Sequence, residues 1–122
     1  MFERHKPYKR WYISQQLGGG LQDYLPHAHG RVPYGAFSLE LNPQAPGIVL
    51  PGTGPEIERW ARVLAEQDEA IPVFVKKRTN EWVYMGTYRC TSFSDDQATI
   101  QPHAEKTGRA DISMVLALTR EL

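Results

Sequence analysis

Apolar and polar positions alternate most clearly in Ile-Pro-Val-Phe-Val-Lys-Lys-Arg-Thr-Asn-Glu-Trp-Val-Tyr-Met-Gly-Thr-Tyr-Arg-Cys, from Ile71 to Cys90. The pattern predicts two strands around a short polar turn, because successive strand side chains point to opposite faces. In the second strand Trp82, Tyr84 and Tyr88 fall at period two, so strict alternation puts their rings on one face. Val83, Met85 and Thr87 take the other face, and Gly86 leaves a notch between Tyr84 and Tyr88. Such a strip can hold a flat ring, and it can equally fill the core of a small barrel.

Other elements follow from punctuation and propensity. Arg10-Trp-Tyr-Ile-Ser14 reads as a first short strand, ended by Gly18-Gly19-Gly20. Pro26, Gly30 and Pro33 make the next stretch a loop. Gly35 to Leu41 alternates as a strand, and Ile48-Val49-Leu50 is a short apolar one. A helix is expected at about 55–67: Thr53 and Glu56 fit a capping box, with Pro55 in the first turn. Ile57, Trp60, Ala61 and Leu64 form its apolar stripe, which makes Trp60 a packing residue. Gln97 to Gln101 reads as a strand and His103 to Asp111 as a polar loop. Ile112 to Leu118 is a last strand, with Ile112, Met114, Leu116 and Leu118 on one face. Roughly five to seven short strands with one main α-helix define an α+β fold, a strongly bent β-sheet or partly open β-barrel. The whole chain, 1–122, reads as a single domain.

Composition narrows the class. With 41% hydrophobic and 23% charged residues the chain is an ordinary soluble globular domain. No apolar run approaches the roughly 18 residues of a membrane span, and the first residues lack the apolar core of a secretion signal. A cytoplasmic location without membrane association is the expectation. Cys90 is the sole cysteine, which excludes an internal disulfide, and on a strand it reads as a small core residue. Fourteen basic and fourteen acidic residues cancel, so bulk charge cannot coat nucleic acid. Their distribution is uneven: residues 1–34 hold Arg4, Lys6, Lys9, Arg10 and Arg31 against Glu3 and Asp23. Residues 35–72 hold six acids against Arg59 and Arg62. If the first segment folds beside Lys76-Lys77-Arg78, a positive patch forms.

The candidate chemistries separate by spacing. No Gly-Lys-Ser/Thr follows the glycine triplet, which excludes a triphosphate loop and leaves a turn or a close backbone approach. His27 and His29 could ligate zinc from one strand face, with His103, Glu105 or Asp111 as a third ligand. No Cys-x-x-Cys or His-Glu-x-x-His supports that, so loop histidines are expected, with no metal and no cofactor. No nucleophile elbow is present, and no catalytic residue is assigned. Base recognition fits best: a base held between aromatic faces, its polar edge read by amides or carboxylates. Trp11, Tyr24, Tyr34, Trp82 and Tyr84 are the stacking candidates, and Gln22 and Asp23 the edge readers. Gln15, Gln16 and Asn80 offer the same edge chemistry. Arg10, Arg31, Lys76, Lys77 and Arg78 are the phosphate candidates.

The order of several short elements adds a resemblance. Arg10-Trp11, Leu17-Gly-Gly, Leu41-Asn42-Pro43-x-Ala45-Pro46-Gly47, Pro51-Gly52, Val73-Phe74-Val75 and Trp82-x-Tyr84-x-Gly86-x-Tyr88 together resemble an uncharacterised domain family of fungi and bacteria. The hairpin resembles the C-terminal domains of restriction-associated helicases and nucleases, which are similar to the PUA, EVE and SRA group. That resemblance implies a bent sheet or barrel with one or two helices that binds a modified or flipped base. The expectation is therefore a nucleic-acid-binding module, for DNA with a modified base, working with a nuclease or helicase partner. Whether it is also an enzyme stays open. The alternatives are a protein-protein or dimerisation module, such as a homodimer through an exposed edge at Ile112 to Leu118, and a small hydrolase of modified nucleosides using Lys106, Glu105 or Asp23.

Overall fold

The computed structural model describes residues 2–122. In chain order they form β1 (Pro7–Tyr8), α1 (Arg10–Leu17), β2 (Gly35–Ser38), β3 (Ile48–Val49), α2 (Pro55–Glu66), β4 (Ile71–Arg78), β5 (Glu81–Ser94), α3 (Gln97–Thr107) and β6 (Val115–Glu121). The fold is α+β. One sheet runs β2-β4-β5-β6-β3, with β1 beside β5. It is mixed, because β2 lies parallel to β4 while the other pairings are antiparallel. Its two ends, β2 and β3, do not pair with each other, so the sheet stays open rather than closing into a barrel.

The β4–β5 hairpin forms as its alternation predicts, around Thr79 and Asn80. Asn80 takes φ 58, a left-handed turn conformation that asparagine tolerates. Pro7 pairs with Val83 and Tyr8 with Trp82, so the basic first segment does lie beside the hairpin.

Strict alternation fails inside β5. Phe74 pairs with Tyr84 and Val73 with Gly86, leaving Met85 unpaired in a β-bulge. One extra residue reverses the side on which the following side chains point. Trp82 and Tyr84 pack with Ile13, Tyr34, Ala36 and Phe74. Tyr88 packs instead with Phe37, Trp60, Ile71 and Val73. The three rings therefore do not share a face. Gly86 makes no notch either: it sits at φ +121, where a Cβ would meet Arg120 Cδ at 3.4 Å and Arg4 Nε at 3.6 Å.

The two faces carry different helices. Trp60, Ala61 and Leu64 of α2 cover one, while Ile13 and Leu17 of α1, with Phe2 and Tyr8, cover the other. A third cluster of Leu50, Ile100, Ile112 and Val115 lies under α3. Asn42 is 5% exposed and ties the Asn-Pro-x-Ala-Pro-Gly turn, accepting from Leu50 N at 2.8 Å and donating to Ser38 O at 3.3 Å.

Several sequence expectations are corrected. The described residues hold three helices rather than one. Residues 10–17 form α1 and not a strand, because Ile13 and Leu17, spaced i and i+4, both reach the core and override local β propensity. Residues 97–107 form α3 for the same reason, with Ile100 and Ala104 facing Leu50, and Gly108 closes it at φ 73. At α2 the N-cap is Gly54 rather than Thr53. Glu58 accepts the Gly54 N–H at 3.0 Å, and Glu56 accepts from Trp60 Nε1 at 2.9 Å. The last strand begins at Val115 rather than Ile112. Its outer edge is not free, since β3 pairs with Leu116 and Ala117 and Gly47 O accepts from Leu118 N. That removes the edge expected for dimerisation.

Gly86→Val tests the bulge. Forcing a β-branched residue into this positive φ should cost about 1–3 kcal/mol in urea denaturation, with an unchanged m-value. A loss below about 0.5 kcal/mol would mean that β5 pairs without the bulge.

Candidate functional site

A cleft of about 1120 Å³ opens between several segments of the chain. They include the loop 21–27, the hairpin tip with Lys76, Asn80 and Trp82, the start of α2, residues 50–52, and the turn of Arg109 and Asp111. The glycine triplet positions the first of these. Gly18 caps α1 at φ 90, and Gly19 lies so close to Pro26 that a Cβ would sit 2.6 Å from Pro26 Cβ. The Gly20 carbonyl then accepts from Arg10 Nη2 at 3.1 Å, Ser14 Oγ at 3.2 Å and the Tyr34 hydroxyl at 3.2 Å. Close backbone approach is what the triplet provides, and its partner is the chain itself.

Arg10 is the central side chain. It is 6% exposed, donates from Nη2 to Asp23 O at 2.9 Å and from Nε to the Tyr34 hydroxyl at 3.2 Å. Its guanidinium carbon lies 5.0 Å from the Trp82 ring centroid and 5.5 Å from that of Tyr34, within cation–π range. Lys76 Nζ lies 5.9 Å from the Trp82 ring.

The cleft gathers Arg10, Gln22, Asp23, Tyr24, Lys76, Asn80 and Trp82 from among the sequence candidates. The others lie elsewhere. Tyr34 is fully buried, with its hydroxyl bonded to Ser14 Oγ at 2.7 Å, so it offers no ring face to a ligand. Tyr84 is half-buried in an aromatic cluster with Phe2 and Phe74. Trp11 is 59% exposed on α1, edge-on to Tyr12. Arg31 pairs with Glu69. Lys77 and Arg78 are exposed and line a separate depression with His5, Pro7 and Glu81, and Glu81 lies 3.8 Å from Arg78. Arg10, the first of the phosphate candidates, is buried at the floor of the cleft.

Sequence reasoning missed the His27–Trp60 stack and the Arg109–Asp111 clamp. His27 stacks on Trp60 at 4.0 Å with an interplanar angle of 6°, so Trp60 both packs the core and walls the cleft. Arg109 donates from Nη1 to the carbonyls of Leu41 at 2.9 Å and Leu50 at 2.8 Å. It also forks onto Asp111 at 2.9 and 3.2 Å, which holds the Asp111 carboxyl below its usual range. The only sequence signal for this clamp is the Arg-x-Asp spacing.

Among the described residues no group of three His, Cys, Asp or Glu side chains could hold a metal. Burial pushes the Cys90 thiol up, away from nucleophilic use. Glu105 and Lys106 sit exposed on α3, outside the cleft. No helix among the described residues is long and apolar enough to cross a membrane.

These features define a small α+β domain with one large aromatic-walled cleft among its described residues. Residues 7–111 match the family described as a domain of unknown function (DUF6697), and the chain belongs to that family. A search of curated proteins found no significant match, and neither did a search of solved structures.

Tyr24 connects the cleft wall to α2, donating to Ile57 O at 2.9 Å. Burial first, and Glu58 second, push its phenol well above the ordinary value. The neutral form is favoured in the folded chain, so this contribution is complete below about pH 10 and is lost as pH rises beyond it. Tyr24→Phe should therefore lose stability less steeply than the parent above that pH. Urea denaturation across a pH series reads the difference, and parallel curves would show that Tyr24 does not titrate on unfolding.

Proposed function

We propose that this domain binds nucleic acid through the cleft, taking an unpaired base, or one flipped from a DNA duplex, beside Trp82 and Tyr24. The observation that carries this reading is the gathering of half-buried aromatic rings, edge-reading side chains and the cations Arg10 and Lys76 in a single cleft. Stacking on one aromatic ring contributes about 1–3 kcal/mol per base. Arg10 covers one face of Trp82, so the base would stack where the ring remains open. Asp23 offers an acceptor to an exocyclic amino group, and Gln22 and Asn80 offer both donors and acceptors. Lys76 is exposed at the rim for a phosphate, with Lys77 and Arg78 continuing the charge along β4.

Recognition of a modified base, a PUA-like or SRA-like role, and a nuclease or helicase partner belong to the same proposal and rest on the resemblance. Zero net charge favours this local mode over general coating, and it implies a shallow salt dependence. Of the residues named for the hydrolase alternative, only Asp23 lines the cleft, while Glu105 and Lys106 lie outside it.

Oligonucleotides that are single- or double-stranded, plain or modified at cytosine or adenine, test this by fluorescence anisotropy at two salt concentrations. Trp82→Ala should weaken binding by about 10-fold or more. Equal affinity of the parent and Trp82→Ala for every probe would sink the assignment.

A further inference from the structure

Arg10 carries a charge that no carboxylate among the described residues neutralises. At 6% exposed, its hydrogen bonds run only to neutral oxygens: the Tyr34 hydroxyl and the carbonyls of Gly20 and Asp23. Asp23 gives Arg10 its backbone and not its carboxylate. Other arginines do find carboxylates: Arg31 meets Glu69, Arg62 meets Asp95, Arg89 meets Asp68 and Arg109 meets Asp111. Among the described residues Arg10 forms no such pair, although a buried cation is costly until a counter-charge reaches it. Its Nη1 donates to no group among the described residues. Every fully buried side-chain polar atom has a partner, so Nη1 lies where solvent reaches it, and Arg10 lines the cleft.

We infer that Arg10 Nη1 seats the terminal phosphate monoester of a nucleotide or strand end. This rests on the nucleic-acid reading of the cleft and adds that the cleft reads an end. The guanidinium is boxed by Trp82 and Tyr34, and its free N–H groups call for a charged acceptor oxygen. An internal phosphodiester has a sugar on each side and would have to bring both down to the floor. A chain end can project its charged group there alone. Lys76, exposed and 5.9 Å from the same Trp82 ring, supplies a second cation for the second charge of the monoester. The terminal base then lies beside Trp82, so one residue pair sets both the end and the stack.

The test uses one oligonucleotide sequence carrying a 5′-phosphate, a 3′-phosphate or hydroxyls at both ends, with the intact protein. One phosphorylated form should bind about 10-fold tighter than the hydroxyl form, and Arg10→Lys should erase that difference. Arg10 also ties the loop of Gly20 and Asp23, so the unsubstituted protein gives an independent readout. In side-chain ¹⁵N spectra, the Arg10 Nε–H signal should shift on adding a nucleoside 5′-monophosphate. Equal affinity for phosphorylated and hydroxyl ends, with an unmoved Arg10 signal, overturns the seat and leaves the nucleic-acid reading standing. An Arg10 signal that moves with the monophosphate while no oligonucleotide binds supports the seat and overturns that reading.

Discussion

The pairing of β4 with β5, with its bulge at Met85, is the constraint on which both layers of the molecule depend. β5 spans Glu81–Ser94 and makes contact with β1, β4 and β6 along its length. Without the bulge, all three of its rings would face one layer and the other would lose Tyr88. With it, Trp82 and Tyr84 serve the α1 side while Tyr88 serves the α2 side. The sheet thus has two apolar faces from a single long strand. Each face needs a helix to cover it, which is the physical reason for α1 and α2 lying on opposite sides.

The cleft is a by-product of how the loops are held against that frame. Arg10 gathers the Gly20 and Asp23 carbonyls, and Arg109 gathers those of Leu41 and Leu50. Two guanidinium groups therefore do for irregular backbone what ladder hydrogen bonds do for strands. They differ in charge balance. Arg109 is neutralised by Asp111, whereas Arg10 meets no carboxylate among the described residues and stays electrostatically unfinished.

What was legible in the sequence followed from large residues at regular spacing. The hairpin and α2 could be read because Val73, Phe74, Trp82, Trp60 and Leu64 keep a clear period through burial. The first and third helices could not, since each sends only a pair of apolar residues to the core. Trp-Tyr-Ile in α1 satisfies β propensity while Ile13 and Leu17 satisfy packing, and packing wins. The bulge left no mark beyond Gly86, whose positive φ admits several explanations. At the site, the hairpin and the 22–24 loop candidates converge, because short-range turns fix them. Tyr34 was misjudged for a reason that no pattern reveals: its hydroxyl is needed inside, between Ser14 and Arg10. The His27–Trp60 stack joins residues that are distant in sequence, and only the folded loop brings them together.

The three tryptophans sit in unlike surroundings, and this gives the protein an optical signature. Trp11 is 59% exposed on the outside of α1, and Trp60 is 7% exposed under His27. Trp82 lies half-buried beneath a guanidinium. Red-shifted emission therefore belongs mostly to Trp11, which a soluble quencher reaches without entering the cleft. Light from Trp60 and Trp82 is bluer and is shielded together by anything that fills the space between them. Emission wavelength alone thus distinguishes events at the protein surface from events inside the cleft.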